Sequence, residues 1–201
     1  WRGNNNIAES ILDQMRLEAY PEPRWIVCGA GTGGTSATIG RYLRYRRLGT
    51  RMCVAEPRGG AYAEGWRRRD RDARATRPTL IEGIGRPAVE PGFLFEIADR
   101  VCEIDDAASI SAAWLLESLL GRRYGGSSGT NLIACLQLAA EMRERAETGS
   151  IVTLLCDRGE RYAETLFDAD WLGAHGIALG PWRDTLRLAI DSGEWKPPED
   201  P

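Results

Sequence analysis

Residues 25–36 read Trp25-Ile26-Val27-Cys28-Gly29-Ala30-Gly31-Thr32-Gly33-Gly34-Thr35-Ser36, and the reading of this stretch decides the fold. Trp25 to Cys28 is a short apolar run closed by glycines, which predicts a buried strand, and Ser36 to Arg47 predicts a helix. A second apolar run, Met52 to Ala55, predicts another strand ending at Glu56 and Pro57. Strand, tight loop, helix and strand in that order form the β-α-β unit of a parallel sheet.

The loop between them suits an anion. Glycines let the backbone approach closely and take positive φ, while the first N–H groups of the following helix are unpaired and its dipole favours negative charge. Thr32 and Thr35 add hydroxyl donors that a loop built only for a sharp turn does not need. Gly29, Gly31 and Gly34 also satisfy GxGxxG, and Glu56 ends the next strand at a distance suited to a ribose hydroxyl. A NAD-binding Rossmann dehydrogenase domain is therefore the rival reading from another class. The run GTGGT, closed by a threonine, fits instead a cradle for a single phosphate.

Outward from this unit, Ile7, Ile11, Leu12 and Met15 recur at helical spacing, which predicts a helix over 6–19, capped by Asn6 and stopped by Pro21 and Pro23. Arg58 to Pro91 is dense in glycine, proline and alternating charge, WRRRDRDAR included, and reads as a long surface segment. Beyond it come a strand over 100–104, a helix over 106–120 favoured at its start by Asp105 and Asp106, and a helix over 129–145. A strand over 151–155, a short helix over 168–172, a helix over 181–190 and a polar tail complete the chain.

The 201 residues are 43% hydrophobic with a formal charge of −3, enough apolar material for one compact unit and no electrostatic pull toward nucleic acid or an anionic membrane. No apolar run approaches the roughly 18 residues that span a bilayer, and WRGNNNIAES lacks a secretion-signal layout. A soluble, cytoplasmic protein is expected. The cysteines 28, 53, 102, 135 and 156 are widely spaced in apolar stretches, which predicts buried, reduced thiols. With His175 as the one histidine, expected at the surface or a helix end, there is no basis for a metal site or a Ser-His-Asp triad. The one lysine is Lys196, in an exposed tail, and the chain begins at Trp1, so it is expected to start inside a longer protein.

Four segments in order, GAGTGGT at 29–35, EGIG at 82–85, GGSSGTN at 125–131 and GERY at 159–162, resemble the cysteine synthase and cystathionine β-synthase family of fold-type II enzymes that use pyridoxal 5′-phosphate (PLP). The resemblance covers about two-thirds of the chain. Within that family WRGNNNIAES and EGIGRPAVEP look most like the actinobacterial L-cysteine desulfhydrases. It implies a three-layer parallel-sheet α/β fold, similar to the tryptophan synthase β subunit, of which this chain is the C-terminal portion. The helix at 6–19, the phosphate-binding unit at 25–56, further large-domain elements at 78–175 and a tail at 176–201 would then follow an absent N-terminal part that holds the Schiff-base lysine. Lys196 cannot replace that lysine, so the chain carries no catalytic residue and is expected to be inactive alone.

By the resemblance, Gly31, Thr32, Gly33, Gly34 and Thr35 hold the cofactor phosphate, and Gly83, Ile84 and Gly85 lie beside the substrate, where a plain surface turn is the alternative. Ser127 and Ser128 match a segment that starts a helix near the cofactor, a position that helix capping explains equally well. Arg158 stands where the family has the serine that meets the pyridine nitrogen; it either donates there or lies on the surface while Asp157 or a water fills the position. The implied activity is β-elimination on cysteine, giving sulfide, pyruvate and ammonia, with β-replacement on O-acetylserine as the alternative. A homodimer and a small amino-acid substrate are the implied partners.

Overall fold

Strands β1 (Trp25–Gly29), β2 (Arg51–Pro57), β3 (Arg100–Ile104) and β4 (Ile151–Thr153) form one sheet, all parallel, in the order β3-β2-β1-β4. This is seen in a computed structural model that describes residues 5–199. Trp25 pairs with both Arg51 and Ile151, which fixes β1 as an inner strand. Successive strand residues point to opposite faces, and the burial divides accordingly. Ile26, Cys28, Met52 and Val54 pack with Ala8, Ile39, Leu43 and Tyr62 on one face, while Trp25, Val27, Cys53, Ala55 and Cys102 pack with Ala108, Ala112, Ile133 and Leu138 on the other. Helices thus cover both faces, which explains why the strands read as continuous apolar runs.

One face carries α1 (Asn5–Met15), α2 (Gly34–Tyr45) and α3 (Ala61–Arg68); the other carries α4 (Asp106–Leu120), α5 (Gly126–Glu144) and α7 (Gly180–Ser192). A short α6 (Ala169–Ala174) joins a third cluster, in which Ile81 and Ile84 meet Ile110, Tyr162 and Leu166. The chain moves outward from β1 through β2 to β3, then returns to place β4 on the far side of β1. The loops leaving the carboxyl ends of β1 and β4 therefore diverge, and such a reversal point opens a crevice.

Several expectations are corrected. The first helix ends at Met15 rather than at residue 19, because the apolar stripe ends there and Leu17 is 90% exposed in a turn. The Asn6 side chain, and with it the expected cap, lies outside the described side chains, as do Trp1 to Asn4. Residues 58–91 are not a surface segment: they contain α3 and bury Tyr62, Ile81, Ile84 and Val89. The small residues Ala61, Ala63 and Gly65 let α3 pack closely while giving it little hydrophobic signature in the sequence. β4 stops at Thr153, and Leu154 and Leu155 turn into the crevice. Cys28, Cys53 and Cys102 are buried as expected and Cys135 partly so, but Cys156 is exposed. Asp105 precedes α4 without capping it; its carboxylate pairs with Arg58 at 2.9 Å and Arg77 at 3.2 Å. His175 closes α6 with its ring against Trp171.

Candidate functional site

The crevice beside β1 holds a cavity of about 590 Å³, lined on the β1 side by Cys28, Gly29, Gly31 and Thr35 and on the β4 side by Leu154, Leu155, Cys156 and Asp157. Glu82, Gly83 and Ile84 close it from the segment after α3, and Ser127, Arg161 and Tyr162 complete the wall. A smaller hollow of about 290 Å³ adjoins it, lined entirely by Gly29 to Thr35. The two share Gly29, Gly31 and Thr35. The structure therefore brings together the four motif segments that lie up to 133 residues apart, counting from Gly29 to Tyr162.

The hollow has the character of a phosphate cradle. Gly33 sits at the N-terminus of α2 with φ +83, a left-handed conformation that costs an L side chain energy, and a Cβ there would lie 2.5 Å from the Phe93 backbone. A Cβ on Gly31 would lie 2.6 Å from the Gly83 carbonyl. The loop is thus packed backbone against backbone, and α2 directs first-turn N–H groups that no intrahelical carbonyl can reach. No carboxylate lines the hollow, and Thr32 and Thr35 contribute hydroxyls. Charge, donors and space all fit the phosphate of PLP.

Tyr62, which lies in the segment read as surface, is fully buried, stacks on Phe93 with ring centroids 4.1 Å apart, and donates its hydroxyl to the Gly31 carbonyl. Glu56, the acid that a dinucleotide site would need facing a ribose, is 1% exposed instead. Its two carboxylate oxygens accept from the backbone N–H groups of Tyr62 (2.8 Å) and Ala63 (2.6 Å), so it closes the N-terminus of α3. Burial pushes its pKa up to about 7 against the pull of those two N–H groups. This occupation removes the residue on which the Rossmann reading depended.

On the opposite wall the fit is looser. Behind that wall, and not lining the cavity, Asn131 is fully buried and donates to the Leu154 carbonyl at 3.1 Å, yet its Oδ1 has no partner among the described residues. Asp157 accepts from the Tyr162 hydroxyl at 2.7 Å through Oδ2, and its Oδ1 is likewise without a partner. Ser128 does not cap α5; its Oγ accepts from the Cys156 N–H at 2.9 Å and ties the start of that helix to the wall. Cys28 is buried beneath the cavity, which pushes its thiol up to about 12 and keeps it neutral.

Of the residues anticipated from sequence, Gly31, Thr35, Gly83 and Ile84 line the cavity, and Thr32, Gly33 and Gly34 line the hollow. Gly85 does not; a Cβ there would meet Thr79 at 2.8 Å, so its smallness serves the packing of the loop. Arg158 is exposed and absent from the cavity wall, where Asp157 stands instead. Lys196 is exposed, pairs with Glu194 at 2.6 Å and is also absent from the wall, in keeping with its tail position. Tyr62, which bonds the loop, was missed, and Asn131, buried behind the cavity rather than lining it, was not singled out. Asn131 belongs to the quoted GGSSGTN run, whereas Tyr62 carried no signal.

Among the described residues no helix is long and apolar enough to cross a membrane, and no group of three His, Cys, Asp or Glu side chains is placed to hold a metal.

Residues 1–157 match the family model described as pyridoxal-phosphate dependent enzyme. The L-cysteine desulfhydrase Cds1 of Mycobacterium tuberculosis is 54% identical over 177 residues, covering 88% of this chain and 48% of the relative. Cysteine synthase 2 of Schizosaccharomyces pombe is 30% identical, covering 75% and 40%. Among solved structures, O-acetyl serine sulfhydrylase isoform 3 from Entamoeba histolytica superposes with a TM-score of 0.70 at 25% identity, covering 90% of this chain and 48% of that one. The hydrogen sulfide-producing enzyme from Fusobacterium nucleatum gives 0.67 at 26% identity, covering 84% and 48%. The chain spans about half the length of the curated relatives it matches.

Proposed function

The chain belongs to the pyridoxal-phosphate dependent enzyme family, and on that premise we propose that it is the C-terminal part of the catalytic unit of an enzyme that eliminates sulfide from L-cysteine, leaving pyruvate and ammonia. The observation that carries this reading is the continuity of the glycine hollow with the larger cavity. Gly31 to Thr35 would hold the phosphate, and Gly83, Ile84 and Asp157 face the adjoining space that would take the rest of the cofactor. The 54% identity to a desulfhydrase favours elimination over replacement.

Bound PLP supplies an electron-accepting ring that makes the α-proton and the β-substituent of an amino acid labile. The residues of this chain then have distinct tasks. First-turn N–H groups of α2 and the hydroxyls of Thr32 and Thr35 neutralise and orient the phosphate. Gly83 holds φ +87 with open space where its Cβ would be, so the EGIG segment presents bare backbone to the substrate. Ile84, Leu154 and Leu155 supply apolar wall that excludes water, and neutral Cys28 adds no competing charge. Lys196 lies in the tail away from the cavity and is not placed to transfer a proton there. A homodimer in the cytoplasm is part of the same proposal, to be checked by sedimentation and fractionation.

The test is sulfide release from L-cysteine by the full-length protein with PLP, run beside consumption of O-acetylserine in the presence of sulfide. Release of sulfide and pyruvate in equal amounts without any O-acetylserine turnover is the expected result. Dominant cysteine formation from O-acetylserine would replace the elimination reading with the synthase one.

A further inference from the structure

We propose that Tyr62 is a positioning residue for the phosphate-holding loop, with Glu56 as its anchor, an inference that rests on the phosphate being held at Gly31 to Thr35. The Tyr62 hydroxyl donates to the Gly31 carbonyl, and Tyr62 itself, in the first turn of α3, is fully buried with its ring stacked on Phe93. In a planar trans peptide the carbonyl and the following N–H point in opposite directions. Turning the Gly31 oxygen toward the buried tyrosine therefore turns the Thr32 N–H away from it, out of the core.

The position of the hydroxyl is itself fixed at both ends. Glu56 grips the backbone of Tyr62 and Ala63 at the start of α3, and Phe93, stacked on the Tyr62 ring, also presses its backbone against Gly33. Strand β2, the start of α3 and the phosphate loop thus form one clamp, in which a carboxylate at the end of a strand determines the aim of an amide two elements away. A residue of this kind touches no ligand. It sets the direction of an N–H that does.

The experiment compares binding of PLP and of pyridoxal, which lacks the phosphate, to the full-length apoenzyme carrying Tyr62→Phe, Glu56→Gln or Gly33→Val. Tyr62→Phe keeps the stacked ring and removes the hydrogen bond, so PLP affinity should fall roughly five- to tenfold, with pyridoxal affinity changed less than about twofold. Glu56→Gln should move PLP in the same direction by a smaller factor. Equal weakening of both ligands by Tyr62→Phe, or no weakening of PLP, would overturn the inference. Gly33→Val separates this from the reading beneath it: if that variant binds PLP normally the phosphate is held elsewhere, whereas if it loses PLP while Tyr62→Phe does not, the clamp alone is wrong.

Discussion

The two sides of the cavity are built on different principles. On the β1 side, main chain packs on main chain, Gly31 against the Gly83 carbonyl and Gly33 against Phe93, and the buried Tyr62 hydroxyl bonds the Gly31 oxygen. On the β4 side the wall is made of side chains with spare capacity: the unpartnered Oδ1 of Asp157, with that of buried Asn131 behind it, exposed Cys156, and an Arg161–Glu82 pair at 2.7 Å that is more than half exposed at both ends. The first side is packed closed apart from the N–H groups that open α2, which are left for an anion. The second holds acceptors that need donors from a ligand, from water or from the rest of the protein, since buried polar groups are costly when unpaired. A tightly packed glycine loop thus faces a wall whose polar side chain keeps an unused acceptor.

The most severe test of this contrast is Gly33→Val. A β-branched residue at φ +83 is strained by about 1–2 kcal/mol before its collision with Phe93 is counted. The expected outcome is a loss of PLP affinity of about a hundredfold or more in the full-length protein, measured by titrating the apoenzyme. If affinity survives, the β1 side is not the rigid anchor described.

The second test reads the anchor through stability. Glu56 has a folded pKa of about 7 against an ordinary 4.5, so the folded state holds its proton more tightly than the unfolded chain does. Its contribution is fully present below about pH 4.5 and is lost as pH rises through about 7, a change on the order of 3 kcal/mol by proton linkage. Denaturant titrations of Glu56→Gln should therefore show a flatter dependence of stability on pH across that window than the parent shows. Parallel curves would mean that Glu56 is not the buried titrating group.

The legibility of the sequence follows the same division. β1, the phosphate loop and β2 could be read because glycine spacing and apolar runs are local signals, and β3 and α4 emerged with the bounds expected of them. Tyr62 could not be read, since its partner Gly31 lies 31 residues away and its helix is built from alanine and glycine within a charged run. Glu56 was visible but misleading: its place after a strand suits a ribose, and only the fold reveals that α3 starts beneath it. The β4 wall was legible through GGSSGTN and GERY as motifs, yet which residue of Cys156-Asp157-Arg158 faces inward depends on how the chain turns after Thr153, which no local pattern encodes.

A milder perturbation of the anchor is Thr35→Val, which keeps the shape of the loop and removes one hydroxyl. A hydrogen bond to a charged group is worth roughly 1.5–3 kcal/mol, so PLP affinity should fall about tenfold or more, with little change for pyridoxal. Weakening of both ligands alike would assign Thr35 to packing rather than to the phosphate.

The smallest effect is expected at Arg158, where resemblance to the family and the geometry of this chain part company. The family position is that of a serine meeting the pyridine nitrogen, and an arginine there could only donate. Here the Arg158 side chain is exposed and does not border the cavity, while the backbone at 158 pairs with Tyr124 and so holds the following GERY turn in place. A side chain directed to solvent from a backbone position that is itself fixed can change charge without moving its neighbours, and surface substitutions of that kind stay within about 0.5 kcal/mol. Arg158→Asp should therefore leave the absorbance of bound PLP unchanged and sulfide release within about twofold of the parent. Asp157→Asn, one residue away but on the wall and held by Tyr162, should alter that absorbance. A spectral shift in Arg158→Asp with none in Asp157→Asn would show that the wall rearranges around the cofactor, and that the looser side of the cavity is looser than its contacts in this structure indicate.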